Sequence, residues 1–199
     1  MNSLSTTQSY RHLIAVEAAR ILAEGLVQDY DVAKLKALKH LGLPDSPDLP
    51  TNAEVEVELK VHQAIFSSKQ EQLIHSMRAQ ALEAMKMFGE YSPRLTGGVL
   101  EATATRYSPI EIQIFPDSPK DIVLKLLDLD VPFDTEDRRI RISKVEVQNV
   151  PVFCFGMGDF EIEVTALQPN ALRQSPLSPI NGIAMKRASI KKLTKMLAE

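Results

Sequence analysis

The chain has 199 residues, 44% of them hydrophobic and 25% charged, with a formal net charge of −3 and one cysteine. That composition excludes a collagen-like, disordered or disulfide-stapled chain and leaves room for one sizeable core plus a helical appendage. No apolar run reaches the roughly 18 residues a membrane helix needs, and Arg11, Glu17, Arg20 and Glu24 interrupt the first apolar stretch, so it does not read as a signal peptide.

The expectation is therefore a cytoplasmic protein without a membrane span, and the lone Cys154 is in keeping with a reducing compartment. Charge is uneven along the chain. Residues 1–90 hold 9 basic and 12 acidic side chains, residues 91–168 hold 8 and 13, and residues 169–199 hold 6 and 1. An acidic body argues against broad nucleic-acid binding, which leans on phosphate neutralisation. The basic tail reads as a solvated helix packed back on that body.

Residues 1–90 read as a helical region. Tyr10, Leu13, Ile14, Ala18, Ile21 and Leu22 recur at three and four, with Gly25 at the exit. A second helix opens near Asp31, runs through Val32, Leu35, Leu38 and Leu41, and ends at Gly42. Pro44, Pro47 and Pro50 mark a linker. Thr51 with Glu54, and Ser68 with Glu71, form capping-box patterns. The last helix carries Leu73, Ile74, Met77, Ala81, Met85 and Phe88, its methionines read as core filling, and Pro93 closes it. The 51–66 segment shows two apolar faces, Val55, Leu59 and Phe66 on one and Val57, Val61 and Ile65 on the other; such a helix wants two neighbours.

From Arg94 the period changes to two, and residues 91–168 read as a mixed α/β domain. Pro109–Phe115 alternates polar and apolar and predicts a strand. Ser118 and Pro119 predict an N-cap and first turn for a helix through Ile122, Val123, Leu126 and Leu127. Val131–Phe133 reads as a strand completing a βαβ unit. Further strands are expected at 139–147 and 150–155. Gly156–Asp159 then turns the chain into a strand over Phe160–Val164. Residues 169–199 read as an irregular segment followed by a basic helix from about Ala188. The fold class is α+β.

Several chemistries are missing. There is no G-x-G-x-x-G, Walker loop, G-x-S-x-G or H-E-x-x-H, and the four histidines lie in the helical half without metal-ligand spacing. What remains is Leu95-Thr96-Gly97-Gly98, a loop, then Ser108–Phe115. A glycine pair at a strand's end lets backbone N–H groups approach a phosphate. Carboxylates on alternate strand positions project from one face and can hold Mg²⁺. Glu161 and Glu163 share one face of a later strand and are the further carboxylates available. They, with Glu111 and Gln113, also suit the wet face of a half-covered sheet. Arg106, in the loop beside the glycines, is the better placed of the arginines to hold phosphate; Arg138, Arg139 and Arg141 read as a solvated strand edge.

The stretch from Gly97 through Glu111 resembles the nucleotidyltransferase superfamily, and more narrowly a bacterial family with a helical N-terminal half before this domain. The resemblance covers roughly residues 94–167. It implies a nucleoside triphosphate and Mg²⁺ as ligands, with Gly97, Gly98 and Arg106 holding phosphates. It also implies that Glu111 is catalytic and a metal ligand, together with Glu161 or Glu163. The pattern is incomplete: Pro109 or Gln113 stands where a second acid belongs on the Glu111 strand, so nucleotidyl transfer is expected to be weakened or lost. A different class also fits, a regulatory or structural module whose helical half presents a surface to a protein partner or a second copy.

Overall fold

The structure, a computed structural model, describes residues 3–43, 49–65, 67–143 and 145–198. It is an α+β fold in which helices precede a five-stranded mixed sheet. The chain divides into two compact units. One runs up to Glu71 and includes Thr105–Ser108; the other comprises Gln72–Ala104 and the chain from Pro109 onward.

The helical unit is built on α1 (Ser3–Ala23), α2 (Tyr30–Leu41) and α3 (Asn52–Ile65). Asp29 caps α2 by accepting from the Val32 N–H at 2.9 Å. Gly42 ends it at φ +62°, a left-handed conformation that glycine adopts without steric penalty. The Thr51–Glu54 capping box forms: Glu54 N–H donates to Thr51 Oγ1 at 3.2 Å, and Thr51 N–H to Glu54 Oε2 at 2.7 Å. Ile14, Ala18, Ile21, Ala33, Ala37, Val55 and Leu59 are buried together, and the small alanines let the helix backbones approach closely. Arg11 clamps Glu54 with two hydrogen bonds of 2.8 and 2.7 Å, tying α1 to α3. Of the two faces read on α3, Val55 and Leu59 are buried, whereas Val57 and Val61 are exposed. Phe66, the Ile65 side chain, the Ser68 cap and most of the proline linker lie outside the described residues.

In the second unit α4 (Ser67–Met87), from Gln72 on, packs Met77, Ala81, Ala84 and Met85 against the sheet, and Phe88 just after it joins them. The strands are β1 (Arg94–Leu95), β2 (Ile110–Ile114), β3 (Asp134–Arg141), β4 (Val147–Met157) and β5 (Phe160–Ala166), in the order β1-β2-β5-β4-β3. β2 and β5 run parallel; the other neighbours are antiparallel. The short helix α5 (Gly97–Glu101) follows β1, and α6 (Pro119–Asp128) follows β2 behind the Ser118–Asp121 capping box. Val99, Ile110, Ile112, Ile114, Ile122, Leu126, Phe153, Phe155, Ile162 and Val164 join the same core on one face of the sheet; the other face carries Glu111, Gln113 and Glu163 and a smaller apolar cluster of Phe115, Val150, Leu167 and Ala171.

Four expectations need correction. The strand expected over 139–147 is broken by a turn: β3 ends at Arg141, the Ile142 N–H returns to Glu146 O at 2.9 Å, and β4 begins at Val147. Val131–Phe133 is not a strand. Asp130 turns at φ +52°, the Val131 N–H is spent on Leu126 O at 3.0 Å, and Pro132 has no N–H to give a ladder. The strand that does form, β3, lies at the far edge of the sheet, separated from β2 by β5 and β4. Ala188 is not helical either. It exchanges N–H···O bonds of 2.9 Å with Leu95, adding a bridge on the free side of β1, and the basic helix α7 (Ile190–Ala198) starts after it. Gln113, read on a wet face, is buried.

Candidate functional site

The register of β1 against β2 builds the glycine corner. Leu95 pairs with Ile112, and the Thr96 N–H donates to Glu111 O at 2.9 Å, so the chain leaving β1 turns directly beside Glu111. Gly97 makes that turn at φ +66°. A Cβ there would lie 2.0 Å from Glu111 Oε1 and 2.5 Å from Cδ, so glycine is required on two counts, conformation and contact. The Gly98 N–H donates to the Glu111 carboxylate. Gly98 itself sits against the backbone of Ala104, where a Cβ would meet Ala104 N at 3.1 Å. The expected partners of the motif, Gly97, Gly98 and Glu111, are thus brought together, with the carboxylate seated on the glycines.

A second carboxylate reaches the same place from the next strand. Glu163 of β5 stands opposite Glu111 in the parallel register, on the same face. Removal of water pushes the Glu111 carboxyl above its usual range; the Glu163 charge adds to this, while the Arg138 charge and the Gly98 N–H oppose it. Glu163 is held by Arg138, whose Nη1 donates to Oε2 at 2.6 Å. The same guanidinium bonds Glu136, with Nε donating at 3.1 Å and Nη2 in a second contact. Arg138 therefore reaches from edge strand β3 across β4 to β5. Its two carboxylates, first among them Glu163, raise its own pKa against the opposing effect of burial.

Arg139 and Arg141 are exposed on the strand edge, as read; Arg138 is the exception. Cys154 lies on β4 between Glu163 and Asp134 in the paired register. Its sulfur and one oxygen each of Glu136 and Glu163 all fall within 4.8 Å of one another. Burial, reinforced by the charges of Glu163, Glu136 and Glu161, pushes its thiol up to about 11, so it stays protonated at neutral pH. Spacing alone does not single out Glu136, and it reads Arg138 as a solvated strand edge, which the ion pair with Glu163 corrects. Their signal, alternation on one strand face, becomes informative only once β3 is known to lie two strands from β5.

The other expected residues are placed elsewhere. Glu161 is exposed, one pleat from Glu163 and opposite Gly156 of β4. Arg106 belongs with Thr105–Ser108 in the helical unit, its guanidinium 5.4 Å from the Tyr107 ring centre. In that unit the Tyr107 ring lies against Gly25, and Gln28 donates to Tyr107 O at 2.6 Å.

Gln113, at one of the two positions open to a second acid, does structural duty. Its Oε1 accepts from Arg187 Nε at 2.7 Å and its Nε2 meets Met185 Sδ at 3.5 Å. Arg187 also donates to Ala171 O at 2.8 Å and stacks over Phe115 at 5.1 Å. Its burial, with Arg94 nearby, lowers its pKa to about 10. Lys186 is taken up by Glu101 at 2.8 Å. The residues present do not fit a two-ion Mg²⁺ centre: Glu111 accepts the Gly98 N–H, Glu163 is bound to a guanidinium, and Pro109 and Gln113 supply no charge.

The chain matches no family model, no curated protein and no solved structure. Among the described residues no helix is long and apolar enough to cross a membrane.

Proposed function

We propose that the sheet unit is a nucleotidyltransferase-like module that has kept weak nucleoside triphosphate binding and lost, or nearly lost, nucleotidyl transfer. The observation that carries this reading is the Glu111 carboxylate lying on Gly97 and Gly98 with Glu163 beside it. A glycine corner whose N–H groups face an anion is suited to phosphate, and here the chain supplies that anion itself. A triphosphate must displace the Glu111 carboxylate and meets the Glu163 charge, which makes binding weak. Transfer fails for a separate reason, because the second acid of the strand is absent and Arg138 takes the charge of Glu163.

Thermal unfolding with each of the four ribonucleoside triphosphates, with and without Mg²⁺ or Mn²⁺, tests the reading. A rise in the midpoint with at least one triphosphate, enlarged in Glu111→Ala by removal of the competing carboxylate, is the expected result. No shift in either protein overturns it.

A second reading rests on the helical unit. Leu13 and Val16 of α1, Val32 and Leu35 of α2 and Val57 and Val61 of α3 are exposed, between 41% and 59% each. Scattered apolar exposure is ordinary, but six such side chains on three helices favour a surface for a protein partner or a second copy. Concentration-dependent association in sedimentation velocity, lost in Val57→Ser/Val61→Ser, is the result that supports it; a monomer at all concentrations removes the second copy.

A further inference from the structure

Helix α6 is apolar on two sides. Ile122 and Leu126 are buried in the core of the sheet unit. Leu124 and Leu127, on the outer side, are 59% and 61% exposed. Lys120, Leu124 and Asp128 follow one another at a spacing of four, so they form one ridge on that outer side, with Leu127 next to it. The ridge therefore carries a cation at one end, leucine in the middle and an anion at the other end.

Those charges stand at the wrong ends of their own helix. Lys120 is in the first turn, where the helix dipole favours an anion, and Asp128 is the last residue, where it favours a cation. Nor are they spent on ion pairs. The other two charges of α6 are in use, Asp121 accepting the Ser118 N–H in the capping box and Lys125 bound to Glu90. Among the described residues, Lys120 and Asp128 are both exposed and neither side chain has an ionic partner. One exposed leucine is ordinary. Two, framed by charges that do not serve their own helix, complement the same ridge run in the opposite direction.

We propose that two copies of this chain associate through α6, packed antiparallel about a two-fold axis at Leu124, with Lys120 of each copy against Asp128 of the other. Leu124 then meets its symmetry mate, Leu127 flanks the pair, and both misplaced charges are matched twice. One short helix per copy covers less than a standard interface, so the dimer is weak, with a dissociation constant of about 100 µM. It depends neither on triphosphate binding nor on the exposed apolar residues of the helical unit.

Sedimentation equilibrium of the full chain without nucleotide, up to about 1 mM, tests this. The wild type should show a monomer–dimer equilibrium, and Leu124→Ser should remain monomeric, because the symmetry applies the substitution twice. Lys120→Glu and Asp128→Lys should each weaken association about tenfold by setting like charges together. Mixed in equal amounts, these two variants should associate as the wild type does, since each copy carries the charges the other needs. Lys120→Glu should keep or raise the thermal midpoint, because it places an anion at the helix N-terminus, and this separates lost association from lost fold. The proposal is overturned by a wild-type monomer throughout, by unchanged association in Leu124→Ser, or by a mixture that associates no better than its components. Association abolished by Val57→Ser/Val61→Ser and untouched by Leu124→Ser would assign the dimer to the helical unit instead.

Discussion

Glu54 and Glu17 of the helical unit and Glu111 of the sheet unit lose water with opposite results. In the helical unit Glu54 gives up water against Arg11, and Glu17 against Arg20 and then His40; these partners hold both carboxyls down to about 2, outweighing the burial that opposes them. In the sheet unit Glu111 gives up water beside a second carboxylate, and its pKa goes up. The first arrangement stabilises a fold. The second costs stability, and such costs concentrate where a fold keeps a site. The contrast sets the glycine corner apart as a place where the fold carries an electrostatic cost.

The largest expected effect comes from closing the corner. Gly97→Ala drives a Cβ into the Glu111 carboxylate and forces a left-handed φ on an L-residue, so it should cost about 3 kcal/mol or more in denaturant unfolding. In the Glu111→Ala background only the backbone strain remains, and the same substitution should cost about 1 kcal/mol. Equal costs in both backgrounds would mean that the carboxylate does not rest on Gly97.

Next comes the cation across the sheet. Arg138→Ala leaves Glu163, 14% exposed in its side chain, without its partner, and should destabilise by about 1–2 kcal/mol at neutral pH. The loss should shrink in acid, once the carboxylates take up protons. A loss that stays constant with pH would assign Arg138 to packing alone.

Smaller again is the effect of neutralising Glu111. A carboxyl whose pKa is raised on folding contributes stability that is complete below its unfolded value and lost as pH rises through the folded one. Glu111→Gln should therefore raise the thermal midpoint by a few degrees near pH 8, with the gain fading toward pH 4.5. A lower midpoint at pH 8 would show that the charge is stabilising.

The helical unit supplies the smallest effect and the opposite sign. Glu54, held down to about 2, contributes stability above its usual 4.5 that is lost as pH falls through about 2. Arg11→Ala should cost about 0.5 kcal/mol at neutral pH, since Glu54 is 44% exposed in its side chain. Its acid transition, followed by far-ultraviolet circular dichroism, should begin at a higher pH than in the wild type.

The elements that local spacing specifies were legible in the sequence: α1 and α2 with Gly42, the Thr51–Glu54 box, β2, and α6 behind Ser118 and Pro119. So was the convergence of Gly97, Gly98 and Glu111, because both halves of the motif lie within fifteen residues and pair in one hairpin-like register. Strand order was not legible. Nothing in Glu136 or Arg138 says that their strand ends at the sheet edge with β4 between it and Glu163, so the guanidinium at the site stayed hidden. Gln113 misled for a related reason. Its alternation suits a solvent face, but the returning segment around Arg187 covers it, and a contact across 74 residues leaves no local trace. The Val131–Phe133 strand failed because β-branched and aromatic character outweighed the proline between them.

The carboxyl of Glu111 reports most directly on the corner. Carbon-detected titration of its side chain should show an inflection above 4.5 in the wild type, moving down in Glu163→Gln as the neighbouring charge is removed. An inflection at or below 4.5, unmoved by that substitution, would contradict a carboxylate lodged on the glycines and facing a second one.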